Sequence, residues 1–97
     1  MERKKVIIKI KGERKMKVKD LVSVIDFSKN KWLNVGYFDE QNKFVTIMEH
    51  CEDEIYIEDE DIKEYVVMNS TVDKLWSVFI EKDMEDLFVT IKESEVR

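Results

Sequence analysis

The sequence predicts a small α+β domain, built as an antiparallel five-stranded barrel with a C-terminal helix packed on it and a final strand after that helix. Three observations lead to this fold class. Short apolar stretches of alternating pattern recur along most of the chain, polar turns separate them, and the apolar spacing changes to three or four residues near the C-terminus. A chain of 97 residues fits one domain, residues 1–97, without room for a second core.

The first two predicted strands lie in the basic N-terminal region. Val6, Ile8 and Ile10 alternate with Ile7 and three lysines, which is the period-2 pattern of a strand over residues 5–11. Residues 15–25 carry valines at even spacing and predict a second strand, bent near Asp20 because this acid falls on the apolar side.

The middle of the chain predicts further strands with a turn after each. Residues 32–38 and 43–49 form two strands joined by the polar turn 39–42. Residues 55–57 continue the pattern, and residues 61–68 follow with apolar side chains at intervals. Short strands separated by polar turns favour a compact antiparallel barrel or sandwich.

The C-terminal third has the spacing of a helix face, i, i+3, i+4, i+7 and i+8. The residues at these positions are Val72, Leu75, Trp76, Phe79 and Ile80, and the last four are expected to be buried by the helix. Residues 87–91 alternate and predict a last strand. The alternative is a hairpin that pairs 75–80 with 87–92 through a connection at 81–86.

The order of features from residue 18 to residue 66 resembles a small Src-homology-3-type barrel of the Tudor-like sort. The quoted features are Val18-Lys19-Asp20-Leu21-Val22 as the opening strand, Trp32 after the first turn, the hairpin strands 35–38 and 44–48, and the helical turn Asp59-Glu60-Asp61-Ile62-Lys63. Lys19 stands where that family often has glycine. The resemblance covers about half of the chain and implies a binding module for peptides, modified side chains or nucleic acid, without naming the ligand.

Charge is distributed unevenly along the chain. Residues 1–20 hold nine Lys or Arg and three acids, whereas residues 52–64 hold eight acids and one lysine. Basic and acidic strands that lie side by side would neutralise each other. Separate electrostatic faces would instead steer partners of opposite charge.

The leading functional hypothesis is a non-enzymatic protein-interaction module that presents its acidic stretch to a basic partner. The predicted partner-binding residues are Glu54, Tyr56, Glu58, Asp59, Glu60 and Asp61, with Tyr56 as an aromatic anchor. Closely spaced carboxylates can also imitate a phosphate backbone, which gives a nucleic-acid-mimicking inhibitor as one version. The short, Lys- and Glu-rich, proline-free composition resembles that of phage or mobile-element proteins that inhibit host factors.

The alternative hypothesis is a nucleic-acid-binding module that uses the basic N-terminal strands and the aromatic residues of the barrel. Its predicted contact residues are Lys9, Lys11, Lys15, Lys17, Trp32 and Tyr37. The acidic sequence pI of about 5.0 argues against it, because nucleic-acid-binding domains are usually basic.

The sequence contains no motif for catalysis, metal binding or membrane insertion. His50 and Cys51 are adjacent, so in a strand their side chains point to opposite faces and form no nucleophile–base pair. The acidic stretch lacks the glycine-containing loop of an EF-hand, and we expect neither a metal nor a cofactor. One cysteine and the lack of a long apolar segment lead us to expect a cytoplasmic protein without a membrane span. Oligomeric state is left open by the sequence.

Overall fold

The computed structural model describes residues 16–81 and 83–96. In chain order, the elements are helix α1 (Val18–Val22), a 3-10 turn (Phe27–Lys29), strands β1 (Lys31–Phe38), β2 (Phe44–Cys51) and β3 (Glu54–Ile57), helix α2 (Glu64–Met68), strands β4 (Val72–Glu81) and β5 (Met84–Ile91), and a second 3-10 turn (Glu93–Glu95). The first predicted strand, residues 5–11, lies outside the described residues.

The five strands form one mixed sheet in the order β3-β2-β1-β5-β4. The β1–β2, β2–β3 and β4–β5 pairs are antiparallel, whereas β1 and β5 run parallel at the centre. The coarse prediction of a small, five-stranded α+β domain is therefore confirmed. The prediction of a purely antiparallel arrangement is wrong at the central pair, and closure into a barrel stays a prediction, since β3 and β4 stand at the two edges of this order.

The β1–β2 hairpin is fixed by the turn that the sequence predicts between its strands. The Asp39 carboxylate accepts hydrogen bonds from the backbone N–H groups of Gln41 at 2.8 Å and Lys43 at 2.9 Å. Asn42 takes the left-handed conformation at φ 64°, which asparagine tolerates better than most residues. This turn sets the register that brings Phe38 opposite Phe44.

A bulge in the hairpin explains why apolar residues are adjacent in β2. The pairing shifts between Val35 and Gly36, so that Val35 is opposite Met48 and Gly36 is opposite Thr46. The extra residue of β2 allows both Ile47 and Met48 to be almost fully buried. At Gly36, a Cβ atom would collide with the carbonyl oxygen of Val45, so the close strand approach requires glycine.

One face of the sheet, which we call the core face, carries the main apolar core. Leu33 and Val35 of β1 and Val89 of β5 are fully buried there. Both helices contribute to the same cluster, through Val18 and Leu21 of α1 and Val67 of α2, together with Ile62 before α2. The core therefore lies between the helices and the centre of the sheet.

The predicted second strand is wrong, because residues 18–22 form a helix. Val18 and Leu21, three residues apart, both face the core, and the backbone N–H of Lys17 donates to the Asp20 carboxylate at 3.2 Å. Asp20 thus stabilises the start of the helix rather than marking a bend in a strand. Residues 61–68, where the sequence shows apolar side chains at intervals, contain helix α2 at residues 64–68, which buries Val67.

The predicted C-terminal helix is replaced by the β4–β5 hairpin, which was the alternative interpretation. Leu75 pairs with Val89 and Trp76 with Phe88, and the final strand is confirmed. Leu75, Phe79 and Ile80 are not buried, since they are 48%, 72% and 60% exposed in the described chain. Because apolar side chains lie on both faces of this edge strand, their spacing along the sequence matched that of a helix face.

Candidate functional site: an acidic and aromatic sheet surface

The face of the sheet opposite the core face, which we call the open face, is ordered by the strand register. In an antiparallel or parallel pair, residues that lie opposite each other point to the same side of the sheet. Two adjacent rows of side chains consequently cross all five strands. From β3 to β4, the first row is Glu54, Cys51, Trp32, Asp86 and Val78, and the second is Tyr56, Glu49, Asn34, Phe88 and Trp76.

The two rows combine aromatic rings with carboxylates, and we call them the acidic–aromatic surface. The rows hold three acids and four aromatic rings, and Glu58, whose side chain is hydrogen-bonded to that of Glu49, adds a fourth acid. Neither row contains a lysine or an arginine. Such a surface is complementary to a cationic ligand.

The aromatic half of the surface is a packed cluster. The rings of Trp76 and Phe88 stack with their centroids 4.4 Å apart, and Phe44 packs edge-on against both. Phe38 joins Phe44 at 5.5 Å and is 44% exposed. The rings therefore hold one another in place while part of their area faces solvent, which is the arrangement of an anchoring patch at an interface.

The acidic half has carboxylates that repel one another. Trp32 donates its indole N–H to Glu49 at 3.0 Å, and the hydrogen bond between Glu49 and Glu58, assisted by burial, raises the pKa of Glu49. Burial and the nearby charge of Glu49 also raise the pKa of Asp86. A raised carboxyl pKa means that negative charge at these positions is poorly compensated within the described part of the protein.

The six acidic-stretch residues predicted for partner binding divide between two places. Glu54 and Tyr56 belong to the acidic–aromatic surface and Glu58 lies next to them, at the β3 edge, where the Tyr56 hydroxyl donates to Glu54 at 2.6 Å. This bond raises the pKa of Tyr56. The other three residues form the turn that leads towards α2.

In that turn, Asp59 has a structural role. Its carboxylate accepts the backbone N–H of Asp61 at 2.9 Å, and its carbonyl accepts that of Ile62 at 3.0 Å. Ile62 is buried in the core, and its packing there holds the turn against the domain. Glu60 and Asp61 are exposed.

The residues predicted for nucleic-acid binding are not brought together. Tyr37 is only 7% exposed and belongs to the core, so its ring is not available for stacking on a base. Trp32 lies beside the Glu49 carboxylate, and the Lys17 ammonium donates to the Asn69 carbonyl at 3.1 Å. Lys9, Lys11 and Lys15 lie outside the described residues.

His50 and Cys51 occupy opposite faces of β2, as expected from their adjacency. His50 is buried on the core face, where its ring stacks on Phe27 at 4.2 Å, and burial lowers its pKa. Cys51 lies on the open face opposite Glu54, and burial together with nearby acids raises its pKa, which keeps the thiol protonated and weakly nucleophilic. The histidine is therefore a core residue.

Within residues 16–81 and 83–96, no group of three or more His, Cys, Asp or Glu side chains is arranged to hold a metal ion. In the same part of the chain, no helix has the length and apolar character needed to cross a membrane. A pocket of about 240 Å³ lies at the end of the sheet beside Trp32 and Cys51.

Sequence reasoning missed half of the acidic–aromatic surface. Trp76 was assigned to a buried helix face, and Asp86 and Phe88 reach the surface only because β5 runs beside β1. No local pattern signals this pairing, since 54 residues separate the partners Lys31 and Glu85. Compared with known proteins, the chain matches no family model, no curated protein and no solved structure.

Proposed function

We propose that the protein is a non-enzymatic interaction module whose acidic–aromatic surface binds a basic segment of another protein. The observation that carries this proposal is a surface where two neighbouring rows without lysine or arginine hold three carboxylates and four aromatic rings, with the Glu58 carboxylate beside them. A lysine or arginine side chain can pair with a carboxylate and place its cationic group over an aromatic face.

The raised pKa values of Glu49 and Asp86 support a cationic ligand. A guanidinium or ammonium group placed between these carboxylates would offset their mutual repulsion and favour their ionised forms. Binding should therefore release protons at mildly acidic pH and weaken as the pH falls. It should also weaken with added salt, because the surface is partly solvated and its charges are screened.

Tryptophan fluorescence provides a direct assay, because both tryptophans of the chain, Trp32 and Trp76, belong to the surface. The probe is an arginine-rich octapeptide, and its control is the same peptide with neutral citrulline at every arginine position. We expect a saturable fluorescence change with the arginine peptide alone. Equal binding of the citrulline peptide would overturn the proposal.

A matched pair of variants separates the surface from general acidity. The test variant is Glu49→Gln/Asp86→Asn, and the control is Glu40→Gln/Asp83→Asn, which removes the same charge from two exposed turns. We expect the test variant to bind at least about tenfold more weakly, equivalent to ~1.4 kcal/mol, and the control to bind nearly as wild type. Equal losses in both variants would show that only net charge matters.

The nucleic-acid-mimicking version predicts that the natural partner is itself a nucleic-acid-binding protein. Affinity capture can compare the wild type with a Glu58→Lys/Glu60→Lys/Asp61→Lys variant, leaving Asp59 unchanged because it holds the turn. Loss of the partner with the variant, and its release from the wild type by double-stranded DNA, would support this version. A captured partner that DNA does not displace would favour an adaptor instead.

A further inference from the structure

The strand β4 has an edge that carries exposed apolar side chains. It is ten residues long and stands last in the sheet order, so one side of its backbone faces away from β5. Leu75, Val78, Phe79 and Ile80 are between 39% and 72% exposed in the described chain. A long apolar edge strand is a template for pairing with another strand, and proteins usually cover such an edge.

The described chain begins at this edge. The backbone N–H of Val72 donates to the Met16 carbonyl at 2.8 Å, and that of Val18 donates to the Ser70 carbonyl at 3.0 Å. Lys17 is thereby paired with Thr71 in antiparallel direction. If the chain before Met16 continues the same antiparallel pairing, it runs along β4 towards Glu81.

We propose that the outer edge of β4, which no other described strand covers, is the docking site of the chain's own N-terminal segment, residues 5–11, which adds a sixth strand to the sheet. Fifteen residues precede Met16. Since a strand advances about 3.3 Å per residue, they suffice to follow all ten residues of β4. Val6, Ile8 and Ile10 supply the alternating pattern of a strand with one apolar face.

Charge complementarity supports this occupant over a second copy of the same edge. Residues 1–15 hold seven Lys or Arg and two acids, whereas β4 holds two acids and one lysine, and the whole β4–β5 hairpin, residues 72–91, holds five acids and two lysines. Two copies of β4 would bring like charges together, but the N-terminal segment brings opposite ones.

β4 has two bulges, and the first of them, near its N-terminal end, determines which face the segment presents to the core. The pairing with β5 shifts between Val72 and Lys74, so Asp73 is the extra residue. If the N-terminal segment stays paired with β4 across this bulge, counting from the Lys17–Thr71 pair places Ile10 opposite Phe79. Phe79 lies on the core face together with Leu75. A register without the bulge would place Ile10 opposite Val78 on the open face, since a one-residue slip reverses every side chain.

Cysteine pairs test both the edge and the register in the full chain, with Cys51→Ser to remove the native thiol. The test pair is Ile10→Cys/Phe79→Cys, because opposite residues of paired strands have Cα separations that suit a disulfide. The controls are Ile10→Cys/Val78→Cys, on the wrong face, and Ile10→Cys/Tyr56→Cys, at the opposite edge of the sheet. Circular dichroism should first show that each variant keeps its sheet signal.

We expect the test pair to close an intramolecular disulfide under air oxidation at least about tenfold faster than either control. Non-reducing electrophoresis and the mass loss of two hydrogens per chain measure it. Faster closure in either control, no closure in any variant, or disulfides mainly between chains would each overturn the proposal. The last of these would identify a second copy as the occupant.

Discussion

Removing two methyl groups from the centre of the sheet should destabilise the protein much more than the same change at its surface. Val89 is fully buried on β5 beside Val35, whereas Val24 is 73% exposed after α1. For Val89→Ala, the transfer term is about 1.6 kcal/mol at ~0.8 kcal/mol per carbon. A residual cavity of roughly 40 Å³ adds about 1 kcal/mol at ~24 cal/mol per Å³.

The expected loss for Val89→Ala is therefore about 2.6 kcal/mol, and urea unfolding followed by circular dichroism measures it. A domain of this size should lose roughly 10–20 °C in Tm but remain folded at 25 °C. Val24→Ala, the matched control, should change the free energy of unfolding by less than about 0.5 kcal/mol. Similar losses in the two variants, or a loss below about 1 kcal/mol for Val89→Ala, would refute the assignment of the core.

Three further predictions concern the hairpin and its titrating groups. Gly36→Ala should cost about 3 kcal/mol or more of stability in urea unfolding, because its Cβ collides with the Val45 carbonyl; unchanged stability would contradict this close approach. The folded-state pKa of Glu49 is raised, so the protein should lose stability as the pH rises from about 4.5 through that pKa. Measurements of Tm against pH should show a smaller loss for Glu49→Gln than for the wild type or for the control Glu40→Gln. The lowered pKa of His50 has the opposite sign, so its contribution is complete above its ordinary value of 6.5 and is lost as the pH falls through the folded-state pKa; a His50→Phe variant with the same acid-side Tm profile as the wild type would disprove this.

Local sequence signals predicted the parts of the fold that are local in the chain. The β1–β2 hairpin followed from two alternating stretches and from Asp39 in the turn between them, and the short strand containing Tyr56 followed from a similar pattern. Glu54 belongs to this short strand, at the β3 edge of the sheet. A turn and its flanking strands depend on residues close in sequence, so the pattern was sufficient there.

The errors arose where tertiary pairing overrode the local pattern. Apolar residues of β4, among them Leu75 and Ile80, lie on both sides of an edge strand, and their spacing matched a helix by coincidence. In α1, Val18 and Val22 lie four residues apart, a spacing that fits the period of a strand and that of a helix. Half of the acidic–aromatic surface depended on β5 lying beside β1, which no short window of sequence can reveal.

The parallel pairing of β1 and β5 also determines the order in which the protein can assemble. Val35 and Val89 are partners across the centre of the sheet, so the core cannot close until β5 has been synthesised. During synthesis on the ribosome, the β1–β2 hairpin can form early, but β1 must wait with one edge unpaired while about 50 residues are added. Folding that depends on such distant partners is slow, on the order of milliseconds to seconds. Throughout that interval β1 is the strand most exposed to wrong pairing, although in the finished sheet it is the best protected.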